Sequence, residues 1–328
     1  MTGVFNYSVF CSVELTVGMN NHLICLAVLN CILSITAIVG NSLILVAQKE
    51  TSLHPPSKVL LRSLAASDLF VGLLQPLFAT YLLSLVHQRW QLCQYTFRVC
   101  TLMSAALVSV SLLTIAAISV DRYLALLLGL RYRQDVTLKR VYVTMIALWV
   151  FPSFSIAFRF YKQIAYEIFE VTTILLCVIV PSYCYTGIFT KLRHHESQVR
   201  AGISQASSNH TIPLNITRYR KTVYSAICVQ LALVLCYLPY MIGAPFARPK
   251  ILMRQSPSLY FFMMETFITL LYFNSSLNPV LYCWKIKEVR QALKNMLRGL
   301  CCLRNDYAVF FINSSSGLRF NLTPRGAS

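Results

Sequence analysis

TLMSAALVSVSLLTIAAISV, residues 101–120, runs for twenty residues without a formal charge and is followed at once by Asp121-Arg122-Tyr123. A helix rises about 1.5 Å per residue, so roughly 20 apolar residues cover the ~30 Å hydrocarbon core of a bilayer. Working outward, six further stretches of this kind occur, near 23–48, 59–86, 141–158, 168–190, 222–247 and 258–283, and the central one extends from 95 to 120. In hydrocarbon the backbone must pair its own N–H and C=O groups, and segments this long do so as helices rather than barrel strands. The chain of 328 residues is 56% hydrophobic and 12% charged, against about 25% charged in soluble domains. The expected fold is an all-α membrane protein, a seven-transmembrane helix bundle in one domain, 23–283.

Basic residues set the orientation. With the N-terminus outside, only Arg89, Arg98, Arg159, Lys162, Arg248, Lys250 and Arg254 face outward, leaving 22 of the 29 Lys and Arg inside. The positive-inside bias therefore predicts an extracellular segment 1–22 and a cytoplasmic C-terminus, in a multi-pass protein of the plasma membrane. The net charge of +18 reads as a topology signal with attraction to anionic inner-leaflet lipid. Nucleic acid is excluded as a partner because the basic residues are scattered among loops. Residues 1–22 carry no basic n-region and no cleavage site, so span one is expected to act as its own insertion signal. Asn6-Tyr7-Ser8 is a glycosylation sequon on the outer side.

Two loops stand out. The second outer one is brief, Tyr161 to Glu167, while residues 191–221 form a polar connection between spans five and six. His194-His195 lies there without further ligands, and structural zinc needs four. After span seven, Ile286, Val289, Leu293 and Leu297 recur at helical spacing among basic residues, which predicts an amphipathic membrane-surface helix, 284–300, lying on lipid. Cys301-Cys302 follow as a palmitoylation pair, and 301–328 reads as a cytoplasmic tail.

Ionisable groups inside lipid cost at least ~2.5 kcal/mol, so each is a functional candidate. Asp68 is the one acid deep in a span, and it needs polar company, which Asn41, Ser111, Asn274, Ser275 and Asn278 offer. Pro239 and Pro279 each remove a backbone hydrogen bond and loosen their helices. No Ser/His or paired-Asp constellation sits at a shared membrane depth, so an enzyme is not expected. The absence of a repeat argues against a transporter, which typically shows corresponding halves.

Asp121-Arg122-Tyr123 leaving span three, with Asn278-Pro279-Val280-Leu281-Tyr282 leaving span seven, resembles the rhodopsin-like class (class A, family 1) of G-protein-coupled receptors over roughly 23–302. The resemblance implies ligand-triggered activation of a heterotrimeric G protein. It implies that Arg122 pairs with Asp121 at rest and swings inward on activation, with Tyr123, Tyr185, Tyr237, Pro239, Asn278, Pro279 and Tyr282 as switch residues. It implies no organic cofactor. The positions matching Asn41, Asp68, Ser111, Asn274 and Asn278 line a pocket that holds sodium in such receptors.

The chain departs from the pattern in several places. Cys236-Tyr237-Leu238-Pro239 has Tyr237 where tryptophan is usual. Tyr219 stands where many members place a glutamate that locks Arg122, which predicts ligand-independent activity. Phe97 occupies the usual span-three cysteine position, and the short second outer loop has no cysteine. Cys93 and Cys11 are then a disulfide candidate, with Cys100 an alternative partner for either. Pocket candidates are Ser104, Ala105, Val108, Tyr240, Met241, Ala244, Glu265, Ile268, Thr269 and Tyr272, between the outer halves of spans three, five, six and seven. Ser104 replaces the aspartate of amine receptors, which disfavours a biogenic amine, and Tyr272 replaces the lysine of opsins, which excludes a retinal Schiff base. The short loop is similar to that of melanocortin, adenosine and lipid receptors. The ligand class stays open among small molecule, lipid and peptide. Glu265 is read either as meeting a cationic peptide or as a solvent-facing acid paired with Arg159 or Lys162.

Overall fold

The structure is a computed structural model and describes residues 10–12, 16, 18–48, 54–161, 163–205, 231–232, 234–240, 257–285, 290, 291 and 294. The described helices are α1 (Asn20–Ala47), α2 (Pro55–Val86), α3 (Trp90–Leu128), the short α4 (Tyr132–Asp135), α5 (Leu138–Tyr161), α6 (Gln163–Gln205), α7 (residues 234–240) and α8 (Pro257–Lys285). A 3-10 turn, Gly129–Arg131, joins α3 to α4. Its Gly129 has φ +53, a left-handed value that glycine adopts without a Cβ penalty. Among the described residues, α1, α2, α3 and the 168–191 part of α6 are long and apolar enough to cross a membrane by length and composition.

The helices pack inside-out relative to a soluble protein. Val28, Ile32, Ile35 and Val39 of α1, and Val143, Ile146, Val150 and Phe154 of α5, are exposed. Asn30, Ser34, Asn41, Ser67, Asp68, Gln75 and Thr114 are buried. Lipid rewards the apolar exterior, and the polar side chains find partners only between helices.

Close backbone approach fixes three of those interfaces. A Cβ on Gly40 of α1 would lie 2.7 Å from Pro279 of α8, and one on Gly72 of α2 would lie 3.0 Å from Ala37 of α1. Ser34 Oγ donates to the Gly72 carbonyl at 2.8 Å, and Ser276 Oγ donates to the Leu33 carbonyl at 2.9 Å. On the far side of the bundle a Cβ on Gly187 of α6 would meet the Tyr123 ring of α3 at 2.6 Å. Small residues let helices approach where no hydrophobic force between spans exists.

Three helix limits differ from the hydropathy reading. Helix α3 starts at Trp90 and ends at Leu128, passing through Asp121-Arg122-Tyr123 rather than stopping there. Helix α5 runs to Tyr161 and α6 begins at Gln163, so the brief second outer loop is shorter still. Helix α6 also continues to Gln205, well into the polar connection. Lys, Arg, Glu and Gln are strong helix formers, so a helix persists where apolar residues end. Most of the surface helix 284–300, the tail, Asn6, Met241, Ala244, Cys301 and Cys302 lie outside the described residues, as does the Tyr282 side chain.

Candidate functional site

The centre of the bundle is organised around Asp68 of α2, which is fully buried. Ser111 Oγ of α3 and Ser275 Oγ of α8 donate to its Oδ1 at 3.0 and 2.9 Å, and Asn278 Nδ2 of α8 donates to Oδ2 at 2.6 Å. Asn41 of α1 reaches the same layer by donating to the Ser275 carbonyl at 3.1 Å and to the Ala37 carbonyl at 2.9 Å. Its Oδ1 has no hydrogen-bond partner. Asn274 lies beside the Tyr237 phenol. One carboxylate therefore ties α2, α3 and α8 together, with Asn41 in the same layer and Asn274 next to it at Tyr237. Removing one of these donors leaves a buried acceptor unsatisfied, which costs about 1–3 kcal/mol.

At the Asp-Arg-Tyr end, Asp121 does not pair with Arg122. Ser57 Oγ of α2 donates to Asp121 Oδ2 at 2.8 Å, and the Tyr132 hydroxyl of α4 donates to Oδ1. The expected Asp121–Arg122 ion pair is absent among the described residues; the two donors hold the carboxylate toward α2 and α4 instead. Arg122 is half-buried and lies near the Tyr132 and Tyr185 phenols. Burial and the hydrogen bond to Asp121 push the Tyr132 phenol up to about 12, so it stays a neutral donor. Tyr185 accepts from Ser119 Oγ at 3.0 Å, and Tyr185 and Ile188 pack on Tyr123 and Leu126. Of the residues expected to act as switches, Asp121, Arg122, Tyr123 and Tyr185 share one end of the bundle, whereas Tyr237, Asn278 and Pro279 sit at or near the Asp68 layer.

The opposite end is closed by a disulfide between Cys11 and Cys93, with Cα atoms 6.1 Å apart, while Cys100 is a free buried thiol. Phe10 stacks on Phe97 at 5.0 Å, and Phe97 meets Tyr81 at 5.2 Å. The Tyr81 hydroxyl donates to Glu265 Oε1 at 3.0 Å. Glu265 is only 2% exposed, so the solvent-facing reading fails. It fails for reasons of helix phase: Glu265, Thr269 and Tyr272, spaced i, i+4, i+7, share one stripe of α8. That stripe turns toward α1, α2 and α3. Asn30 Nδ2 of α1 donates to Thr269 Oγ1 at 3.0 Å, and Gln75 Nε2 of α2 donates to the Tyr272 carbonyl at 3.4 Å.

The ligand candidates accordingly divide. Glu265, Thr269 and Tyr272 belong with α1 and α2, and Ser104 lies against the Tyr272 phenol. Val108 and Tyr240 instead pack on the cluster of Leu112, Cys177, Cys236 and Tyr237. The Tyr240 hydroxyl reaches Glu170 Oε1 at 3.4 Å.

Sequence reasoning missed Ser57 and Tyr132, which carry no motif. It also missed Asn30 and Gln75, which the rule that polar residues inside spans are functional would have flagged.

Residues 40–165 match the family model of the 7 transmembrane receptor (rhodopsin family). The chain is 26% identical over 306 residues to trace amine-associated receptor 9 of Homo sapiens, covering 83% of this chain and 84% of that protein. It is 25% identical over 300 residues to growth hormone secretagogue receptor type 1 of Mustela putorius furo, covering 81% and 78%. The crystal structure of squid rhodopsin superposes with a TM-score of 0.65 at 16% identity over 86% of this chain and 88% of that one. The family model, the two relatives and the shared fold together support a rhodopsin-like, class A receptor. The receptor is an all-α, multi-pass membrane protein with the seven-transmembrane bundle of that family. Its relatives are signalling receptors rather than enzymes.

Proposed function

We propose that this receptor, lying in the plasma membrane with its disulfide end outside, is triggered by an extracellular ligand to activate a heterotrimeric G protein through its Arg122 end. The observation that carries the reading is the state of Arg122. Its neighbour Asp121 is held by Ser57 and Tyr132, so the guanidinium is left without that counterion. A guanidinium suits a docking role because it stays charged and presents a planar fork of donors.

The mechanism follows from the ties between helices. A ligand shifts the bundle only if it binds one arrangement better than the other. Contacts at the disulfide end reach Tyr272 of α8, two residues before Asn274. Three residues beyond Ser275, Asn278 holds Asp68, so displacement of α8 pulls on the α2 and α3 bonds of the same carboxylate. Pro279 has no N–H to offer the Ser275 carbonyl one turn earlier, and Asn41 Nδ2 of α1 donates to that carbonyl instead. The missing internal hydrogen bond gives α8 a place to bend.

A monovalent cation fits the Asp68 layer by its donor set. Carboxylate, hydroxyl and amide oxygens are what hard cations take, and Asn41 Oδ1 is buried there without a partner. Asp68, Ser111 and Asn41, with Asn274 and Asn278 alongside, would hold it, and its charge would neutralise the aspartate.

The test is nucleotide exchange on purified G proteins by the receptor reconstituted in nanodiscs. Exchange above receptor-free controls with at least one G protein is expected; none with any family member, at verified folding, would reject the proposal.

A further inference from the structure

Glu265 is a buried carboxylate whose second oxygen has no use inside the protein. Oε1 accepts from Tyr81 at 3.0 Å, but Oε2 has no hydrogen-bond partner, and no Lys, Arg or His pairs with it among the described residues. A desolvated carboxylate oxygen without a donor is costly, so the position has a reason other than packing. Tyr81, its hydrogen-bond partner, belongs to an aromatic cluster. Phe97 and Phe78 lie 5.2 and 5.7 Å from Tyr81, and Tyr272 lies 5.2 Å from Phe78. A carboxylate beside such a cluster attracts an organic cation by charge and by the ring quadrupoles.

From these contacts we propose that Glu265 is the counterion for a small organic ammonium, which is the ligand class of this receptor. The assignment rests on the receptor reading above and names its ligand. An ammonium offers only donors, and the atoms left without partners here are acceptors. Besides Glu265 Oε2, Asn30 Oδ1 and Gln75 Oε1 are buried and unpartnered. Both amides are fixed in orientation by the bonds their nitrogens donate, at the levels of Thr269 and Tyr272. Those levels are about 6 and about 10 Å deeper along α8 than Glu265. A second donor on the ligand would meet them. Calcium and magnesium are disfavoured because they take six or more oxygens, and three unpartnered acceptor oxygens lie here. A bulky peptide is disfavoured because Phe10 and Cys11 are pinned over this end by the Phe97 stack and the Cys93 disulfide. The expectation against an amine rests on Ser104 standing in span three where amine receptors carry an acid; it is reversed here, because the acid is Glu265 of span seven.

The experiment is thermal unfolding of the full-length receptor in nanodiscs with butylammonium and 2-phenylethylammonium, each beside the alcohol of the same shape, and with arginine amide. The amines are expected to raise Tm by about 3 °C at ten times their Kd, and the alcohols not at all. Glu265→Gln, which keeps an acceptor for Tyr81, should abolish the shift. Equal shifts from amine and alcohol in the wild type, no shift from any amine, or a shift from arginine amide alone would overturn the proposal, and the first comparison holds even if Glu265→Gln does not fold. Arg122→Ala should keep the shift. Amine-dependent stabilisation without G-protein activation would reject the receptor reading alone, while activation without amine binding would reject this one.

Discussion

Tyr132→Phe is predicted to lower ligand-independent signalling. The substitution removes one of the two donors to Asp121 and little else, since the ring contact with His54, 5.3 Å between centroids, needs no hydroxyl. A hydrogen bond to a charged group contributes about 1.5–3 kcal/mol. The lower end applies because Ser57 still donates to the carboxylate after the change. Ser57 and Tyr132 hold the carboxylate in an orientation that makes no ion pair with Arg122, so weakening them frees it to turn to the guanidinium, and Arg122 is withdrawn from the G protein. A shift of about 1.4 kcal/mol is tenfold, so basal second-messenger output above mock-transfected cells should fall about tenfold at matched surface display. Ser57→Ala, which removes the 2.8 Å bond to the other oxygen, should act in the same direction, and the double variant should fall further. The latch should also be insensitive to moderate pH. The phenol is raised from its usual value near 10 to about 12, so its protonated form, and the stability it contributes, is complete below about 10 and is lost only as pH rises through the higher value. The ratio of wild-type to Tyr132→Phe activity should therefore be flat between about pH 6 and about pH 8. Unchanged or raised basal activity in both single variants would refute the reasoning, because Asp121 would then not be competing for Arg122.

Packing, the Asp68 layer and the disulfide give three more expectations. Gly40→Ala places a methyl 2.7 Å from the rigid Pro279 ring and should cost about 1–3 kcal/mol, read as a Tm several degrees lower; an unchanged Tm would mean that α1 and α8 are not so close. Asp68→Asn should remove any stabilisation by sodium relative to an organic cation too large for the layer, and a sodium-dependent Tm that survives the change would place the ion elsewhere. Cys93→Ser should reduce surface expression and leave the same defect as Cys11→Ser, whereas additive defects would show that the two cysteines do not act as one bridge.

Much of the architecture was legible because lipid imposes a simple rule: charge is excluded over about 20 residues at a time. The run 101–120 and Asp68 within an apolar stretch are signals of that kind, and the Asp68 layer follows because a lone buried acid must collect donors. What was not legible depends on helix phase and on contacts distant in sequence. Hydropathy marks where lipid ends, not where a helix ends, so α3 and α6 run past their apolar segments. Glu265 near a span end reads equally as facing water or protein until the positions of α1 and α2 are known. Ser57 and Tyr132 are ordinary residues, 64 and 11 positions from Asp121, and only the fold brings them to it. The pairing of Cys11 with Cys93 rather than Cys100 is likewise a matter of which thiol faces the N-terminal segment.

The most direct measurement is G-protein dissociation in living cells expressing wild-type receptor beside Arg122→Ala, across sensors for every G-protein family and with equal surface display. The account predicts dissociation in at least one channel for the wild type and its loss in the variant. Equal signals from the two proteins would contradict it, because activation would then not pass through Arg122.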